Sequence, residues 1–167
     1  ETLQASIRSV RFHKGQMTVQ GADDNWSPFA YADTCLDEDT NRDGFLDLYV
    51  CVYSRSGGGM AKYLHQPTPY YDANNGPPNH LFRNNGDGTF TDVTRKAGLS
   101  VNNSRWSFAA SWSDYDRDGD PDLYVANDFG RNNLYRNNGN GTFTDVAAEA
   151  GVIRLSSREN CRATQPP

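Results

Sequence analysis

Apolar and polar positions alternate with a period of two through several short stretches of this chain, and clusters of Gly, Asn and Asp separate them. Val10-Arg-Phe12 and Met17-Thr-Val19 alternate around Lys14-Gly15 and predict an N-terminal hairpin. Leu81-Phe-Arg83 and Thr89-Phe-Thr-Asp-Val93 flank Asn-Asn-Gly-Asp-Gly, a turn run in which Gly and Asn accept positive φ, and predict a second hairpin. The stretch between Leu134 and Phe143 repeats that arrangement. No long amphipathic helix is visible, so the pattern is that of an all-β sandwich, barrel or propeller.

The chain repeats itself. His80–Val93 reappears as Asn133–Val146, an offset of 53 residues, and each copy runs into a small-residue tail, Lys96-Ala-Gly-Leu99 or Glu149-Ala-Gly-Val152. A second element, Asp39–Val50, reappears as Asp114–Val125 at an offset of 75. The difference of 22 measures an insertion within Ser56–Asn79, between the first pair of elements. Gly57-Gly-Gly59, Pro67, Pro69, Pro77 and Pro78 give that insertion loop composition. A long ordered loop covering its neighbour is expected, with Tyr63, Tyr70 and Tyr71 able to present a binding surface.

The length, 167 residues, favours one domain, and three Trp, nine Tyr and eight Phe suffice for a core. No run approaches the roughly 18–20 apolar residues of a membrane helix, so no membrane span is expected. The net charge of −5 and the lack of any basic run give no electrostatic reason to expect a nucleic-acid partner, whereas cations are attracted. A start at Glu1 suits a mature exported product or an excised fragment.

The candidate chemistry lies in the second repeated element. Asp114, Asp116, Asp118, Asp120 and Asp122 put five carboxylates within nine residues, with Gly119 among them. Such crowding costs several kcal/mol unless a cation or water screens it. Calcium takes about six to eight oxygens at ~2.3–2.6 Å, and side chains at loop positions one, three and five converge on one point where Gly permits the turn. The carbonyl of Asp120 at position seven and the carboxylate of Asp122 at position nine complete this shell. The first copy supplies Asp39, Asn41, Asp43, the carbonyl of Phe45, and Asp47. Asn41 keeps an oxygen but removes one charge, which predicts weaker binding there. Two Ca²⁺ sites are therefore expected. An EF-hand is excluded, because its twelfth position needs Glu and here holds Val50 or Val125.

These residues, D-x-[DN]-x-D-G-x-x-D-L-Y-V followed by N-x-L-[FY]-R-N-N-G-x-G-T-F-T-D-V, resemble the FG-GAP/VCBS repeats of calcium-binding β-propeller blades. Those blades are related to the blades of integrin α subunits and to bacterial secreted proteins carrying an ASPIC/UnbV domain, which is not apparent here. The resemblance covers roughly residues 26–153 and implies four-stranded blades with calcium in a hairpin loop of each. A closed propeller needs about four to eight blades, and this length holds about two to three. An incomplete propeller is expected, continued by self-association, up to filaments, or by the remaining blades of a longer chain. Residues 1–25 lie outside the repeats as strands able to dock on a neighbour, and 154–167 form a polar tail.

Cys35 and Cys51 lie eight residues either side of Asp43 and are candidates for a disulfide clamping the first loop if the protein is exported; Cys161 is the odd one left. Asn25, Asn102 and Asn140 open glycosylation sequons. His13, His65 and His80 are scattered, none beside a nucleophile, so no catalytic residues are assigned and a non-enzyme is expected. Trp26, Trp106 and Trp112 are expected in the core or between blades. The resulting expectation is a secreted or cell-surface, calcium-stabilised structural or adhesion module. The alternative is a carbohydrate-binding, lectin-like module using the aromatic loop 56–79, with glycans or other extracellular proteins as partners.

Overall fold

The computed structural model describes residues 9–13, 16–20, 26–54 and 66–152, with side chains over 38–53 and 66–152. Among these residues there are two antiparallel sheets and no helix. The first sheet runs in chain order through β1 (Ser9–His13), β2 (Gln16–Gln20), β3 (Trp26–Glu38), β4 (Asp47–Ser54), β5 (His80–Asn84) and β6 (Phe90–Asp92). The second comprises β7 (Ser107–Ser113), β8 (Asp122–Asn127), β9 (Asn133–Asn137) and β10 (Phe143–Asp145), again in chain order.

The repeat offsets superpose β4 on β8, β5 on β9 and β6 on β10, so β3–β6 and β7–β10 are the two blades. The N-terminal hairpin forms as its alternation predicts, with Val10 opposite Val19. It is engaged within the chain: β2 pairs with the first half of β3, Gln20 opposite Trp26, and β1 is an edge strand of the sheet. Strand β3 serves both β2 and β4 because bulges near Ala32 shift its register between the two partners.

Burial explains why β4 reads apolar without alternation. Tyr49, Val50, Cys51 and Val52 are all no more than 2% exposed, so both faces of this strand are covered. Its Tyr49–Cys51 face, with Leu81, Ala97 and Leu99, packs against Leu123, Val125, Tyr135 and Phe143 of the second blade. One core therefore lies between the blades, and each large side chain buried in it contributes roughly 1.5–3 kcal/mol. Trp112, partly buried, extends it, its ring edge-on to Tyr49 at 6.2 Å, and Trp106 is buried, both as expected; the Trp26 side chain lies outside the described residues.

The small-residue tail after β6 closes the joint. Ala97 and Leu99 donate back to Val93 and Thr94, which curls the chain, and the Phe143 N–H donates to the Ala97 carbonyl at 2.8 Å. Gly98 is required there: its φ is +80°, and a Cβ would lie 2.7 Å from the Phe143 carbonyl oxygen.

Residues 66–79 of the insertion form no strand and fold over the second blade. Ala73 donates to the Phe129 carbonyl and Gly76 to that of Ser104. Asp72 pairs with Arg105 at 2.9 Å and lies 3.5 Å from Arg131. Tyr70 meets the Phe129 ring, yet Tyr70 and Tyr71 remain 70% and 68% exposed. Tyr63 and the Gly57–Gly59 run lie outside the described residues, as do His65, Asn25, Cys161 and the 154–167 tail.

Candidate metal centre

Both acidic loops join the first two strands of a blade, β3 to β4 and β7 to β8, and they share one backbone. Arg42 and Gly44 have φ of 58° and 89°; Arg117 and Gly119, at the same loop positions, have 65° and 90°. Two successive left-handed excursions turn the chain so that its first carboxylate faces the loop's own amides. Asp39 accepts from the N–H groups of Asp43 and Gly44 at 3.0 and 2.9 Å, and Asp114 accepts from Gly119 at 3.1 Å. Side chains at positions three and five tighten the same turn: Asn41 accepts from Asp43, Asp43 from Phe45, Asp116 from Asp118 and Asp118 from Asp120.

The ninth position differs in kind from the rest. Asp47 and Asp122 are each only 1% exposed. Asp122 accepts from the backbone N–H groups of Tyr115 and Asn137 at 3.0 and 2.8 Å. Asp47 accepts from the Asn84 N–H at 2.9 Å and from the Thr40 hydroxyl. Each carboxylate is thus fixed by the strand that follows it, β5 or β9, and retains lone pairs for a further partner.

In the second loop, ligand oxygens from Asp114, Asp116 and Asp122 all lie within 4.8 Å of one another. Two oxygens coordinated to one calcium can be at most about 5 Å apart, so this spacing fits a single ion. An all-oxygen donor set with a buried carboxylate at its base suits a hard divalent cation and offers nothing to a thiophilic metal. When bound, calcium would supply the positive charge that lets three carboxylates share this space. Asp114, Asp116, Asp118 and Asp122 would hold it by side chains and Asp120 by its carbonyl. Asp120 keeps its carboxylate for Arg42, 2.8 Å away across the blade boundary. In the first loop Asp39, Asn41, Asp43, the Phe45 carbonyl and Asp47 hold the matching sequence positions, but among the described residues the three-carboxylate cluster forms only in the second loop; the Phe45 ring packs over Gly86 in the β5–β6 turn.

Burial holds Asp122 above the usual carboxylate range, and the charges of Asp116 and Asp118 add to the shift against the two backbone donors. Asp47 is raised the same way, by burial first and by Asp43 as well. A carboxyl whose folded value is raised favours the cation-free fold at pH below the ordinary carboxylate value. That support is lost as pH rises through the raised value. Cation binding requires the deprotonated form, so calcium affinity is expected to fall as pH is lowered from neutrality towards the carboxylate range. The fall should begin above the range of an ordinary carboxylate and reach about tenfold per pH unit for each proton displaced, as read by calorimetric titration.

Reasoning along the sequence missed three participants. Arg42 donates to the Gly119 carbonyl as well as to Asp120. Asn137, 2% exposed, sends its side-chain N–H groups to the carbonyls of Thr40 and Pro121, each at 3.2 Å, and so touches both loops. Asn84 is its counterpart in the first blade. The recurrence of Asn at one position of the 53-residue repeat was the available signal. The two cysteines are near neighbours across the β3–β4 hairpin, as their spacing about Asp43 predicts. The pairing axis falls between Arg42 and Asp43, which sets Cys35 opposite Val50 and Cys51 opposite Thr34, one step out of direct opposition. Cys51 is buried in the inter-blade core, and the Cys35 side chain lies outside the described residues. His80 pairs with Asp92 at 3.0 Å.

Four-stranded antiparallel blades, each with an acidic loop between its first two strands, packed face to face, define a repeat protein of propeller type. A sequence profile of the FG-GAP-like repeat matches residues 39–125 and 114–161, and the chain belongs to that family. Each match begins at the first aspartate of an acidic loop. A search of curated proteins returned no match. Among the described residues no helix is long and apolar enough to cross a membrane.

Proposed function

We propose that this protein is an extracellular, calcium-stabilised structural or adhesion module. It is non-catalytic and is extended by further blades, whether from other copies or from a longer chain. The observation that carries this reading is the buried Asp122 carboxylate set within 4.8 Å of the Asp114 and Asp116 oxygens, at the joint between two blades. A cation there would draw the loop, β8 and β9 together, and a buried carboxylate, Asp47, holds the matching position of the first loop. Calorimetric titration with calcium tests it. Two binding events are expected, the weaker assigned to the loop containing Asn41, and Asp116→Ala should remove the tighter one. Absence of binding in the wild-type chain would overturn the reading.

The exposure of Tyr70 and Tyr71 on the insertion favours one second reading, a carbohydrate-binding surface on which sugar rings stack. Binding to a glycan array that free sugar competes away, and that Tyr70→Ala with Tyr71→Ala abolishes, would support it.

A further inference from the structure

A backbone nitrogen can attack the side-chain amide of the asparagine before it, and it does so most readily in glycine, where no Cβ shields the nitrogen. The chain holds four such pairs, Asn75-Gly76, Asn85-Gly86, Asn138-Gly139 and Asn140-Gly141. Attack requires a glycine N–H free to give up its proton and an amide free to turn towards it. Three of the pairs have both groups tied. The Gly76 N–H donates to the Ser104 carbonyl at 2.8 Å, and the Asn75 amide to that of Gln66 at 2.7 Å. The Gly86 N–H donates to the Asn84 side chain at 3.0 Å, and the Gly139 N–H to that of Asn137 at 3.1 Å. The amides of Asn85 and Asn138 donate to the hydroxyls of Thr89 and Thr142.

Asn140-Gly141 differs on every count. Asn140 is exposed at the tip of the β9–β10 turn, between Gly139 and Gly141 with φ of 72° and 75°. Neither the Gly141 N–H nor the Asn140 Nδ2 has a partner among the described residues. The Asn140 Oδ1 alone is held, accepting from the Thr142 N–H at 3.1 Å and from its hydroxyl at 2.6 Å. Two donors on that oxygen withdraw electrons from Cγ and stabilise the charge that collects there on attack.

The first blade already displays the turn with the hydrolysed side chain. Asp87-Gly88 holds the same place in the repeat, and Asp87 accepts from the Thr89 N–H at 2.9 Å and from its hydroxyl at 2.6 Å. A carboxylate at position 140 therefore finds its hydrogen bonds in place. It also gains a setting of mixed charge: Asn140 lines a cavity of about 240 Å³ between the blades together with Arg83, Lys96 and Asp47.

We propose that Asn140 is a self-modification site, hydrolysed through its own backbone. The Gly141 nitrogen bonds to the Asn140 Cγ and loses its proton; the Cγ–Nδ2 bond breaks, and Nδ2 leaves with that proton as ammonia. The five-membered imide that remains is opened by one water, at Cγ to give aspartate or at the backbone carbonyl to give isoaspartate. One water is consumed, one ammonia released and one negative charge gained, with no oxidant, reductant or enzyme.

The test incubates the full folded chain at mildly alkaline pH in isotopically heavy water and follows all four pairs by peptide mapping. Asn140 should convert first, taking up one solvent oxygen. The other three should lag by at least about two- to tenfold, the cost of breaking one hydrogen bond that ties them. In the same chain under denaturant the four should converge, because the distinction is made by the fold. Asn140→Asp should fold and melt within a degree or so of the parent, since Asp87 shows the turn that accepts it. Equal rates in the folded chain, or a faster site elsewhere, would overturn the proposal. So would a glycan on Asn140 in native material, which would assign the Asn140-Gly-Thr142 sequon to a different modification, or an Asn140→Asp chain that melts well below the parent.

Discussion

Calcium at a hundredfold excess over its dissociation constant is expected to raise the melting temperature by about 5–10 °C for each loop that fills. A ligand at that excess stabilises the state it binds by about 2.7 kcal/mol, and for a domain of this size 1 kcal/mol moves the transition by about 2–4 °C. Excess chelator should reverse the gain. Asp116→Ala should remove the part due to the second loop, since Asp116 is exposed and its loss disturbs little else. Magnesium should give a much smaller shift, because it holds its waters and demands octahedral geometry. A melting curve indifferent to both calcium and chelator would mean that the loops are screened by water alone.

Leu123→Ala should be the most damaging single change in the core, at about 2–5 kcal/mol, or about 4–20 °C in melting temperature. Leu123 is 0% exposed and sits where the second blade meets Tyr49 and Leu81 of the first, so the cavity it leaves opens between the two sheets. Val101→Ala is the control: Val101 is 57% exposed and its truncation should stay within about 0.5 kcal/mol. Equal effects from the two would show that the blades do not share a core in solution.

The strands and the acidic loops were legible in the sequence because their signals are local. Every proposed ligand of a loop lies within nine residues, and Gly44 and Gly119 declare the turn. The contacts between blades were not legible, because sequence distance hides them. Arg42 and Gly119 are 77 residues apart, and Asn137 and Thr40 are 97 apart. Burial was ambiguous for a related reason. Asp-Leu-Tyr-Val opens both β4 and β8, yet Tyr49 is buried and Tyr124 only half so, since what covers a face belongs to the next blade. Equal spacing about Asp43 makes Cys35 and Cys51 near cross-strand neighbours, and the eight-residue loop between Glu38 and Asp47 sets them one step from direct opposition.

The left-handed arginines at the tips of the two loops have a practical consequence. Trypsin cuts after arginine but must draw several residues of its substrate into an extended form, which a loop wound around a cation resists. Arg42 and Arg117 are both exposed, so each loop carries its own reporter of whether it is wound. Fragments ending at Arg117 should accumulate only once the second loop has lost its ion, and those ending at Arg42 at higher free calcium. Digestion across a calcium series, read by mass spectrometry, would then rank the two loops in native material without purification of variants.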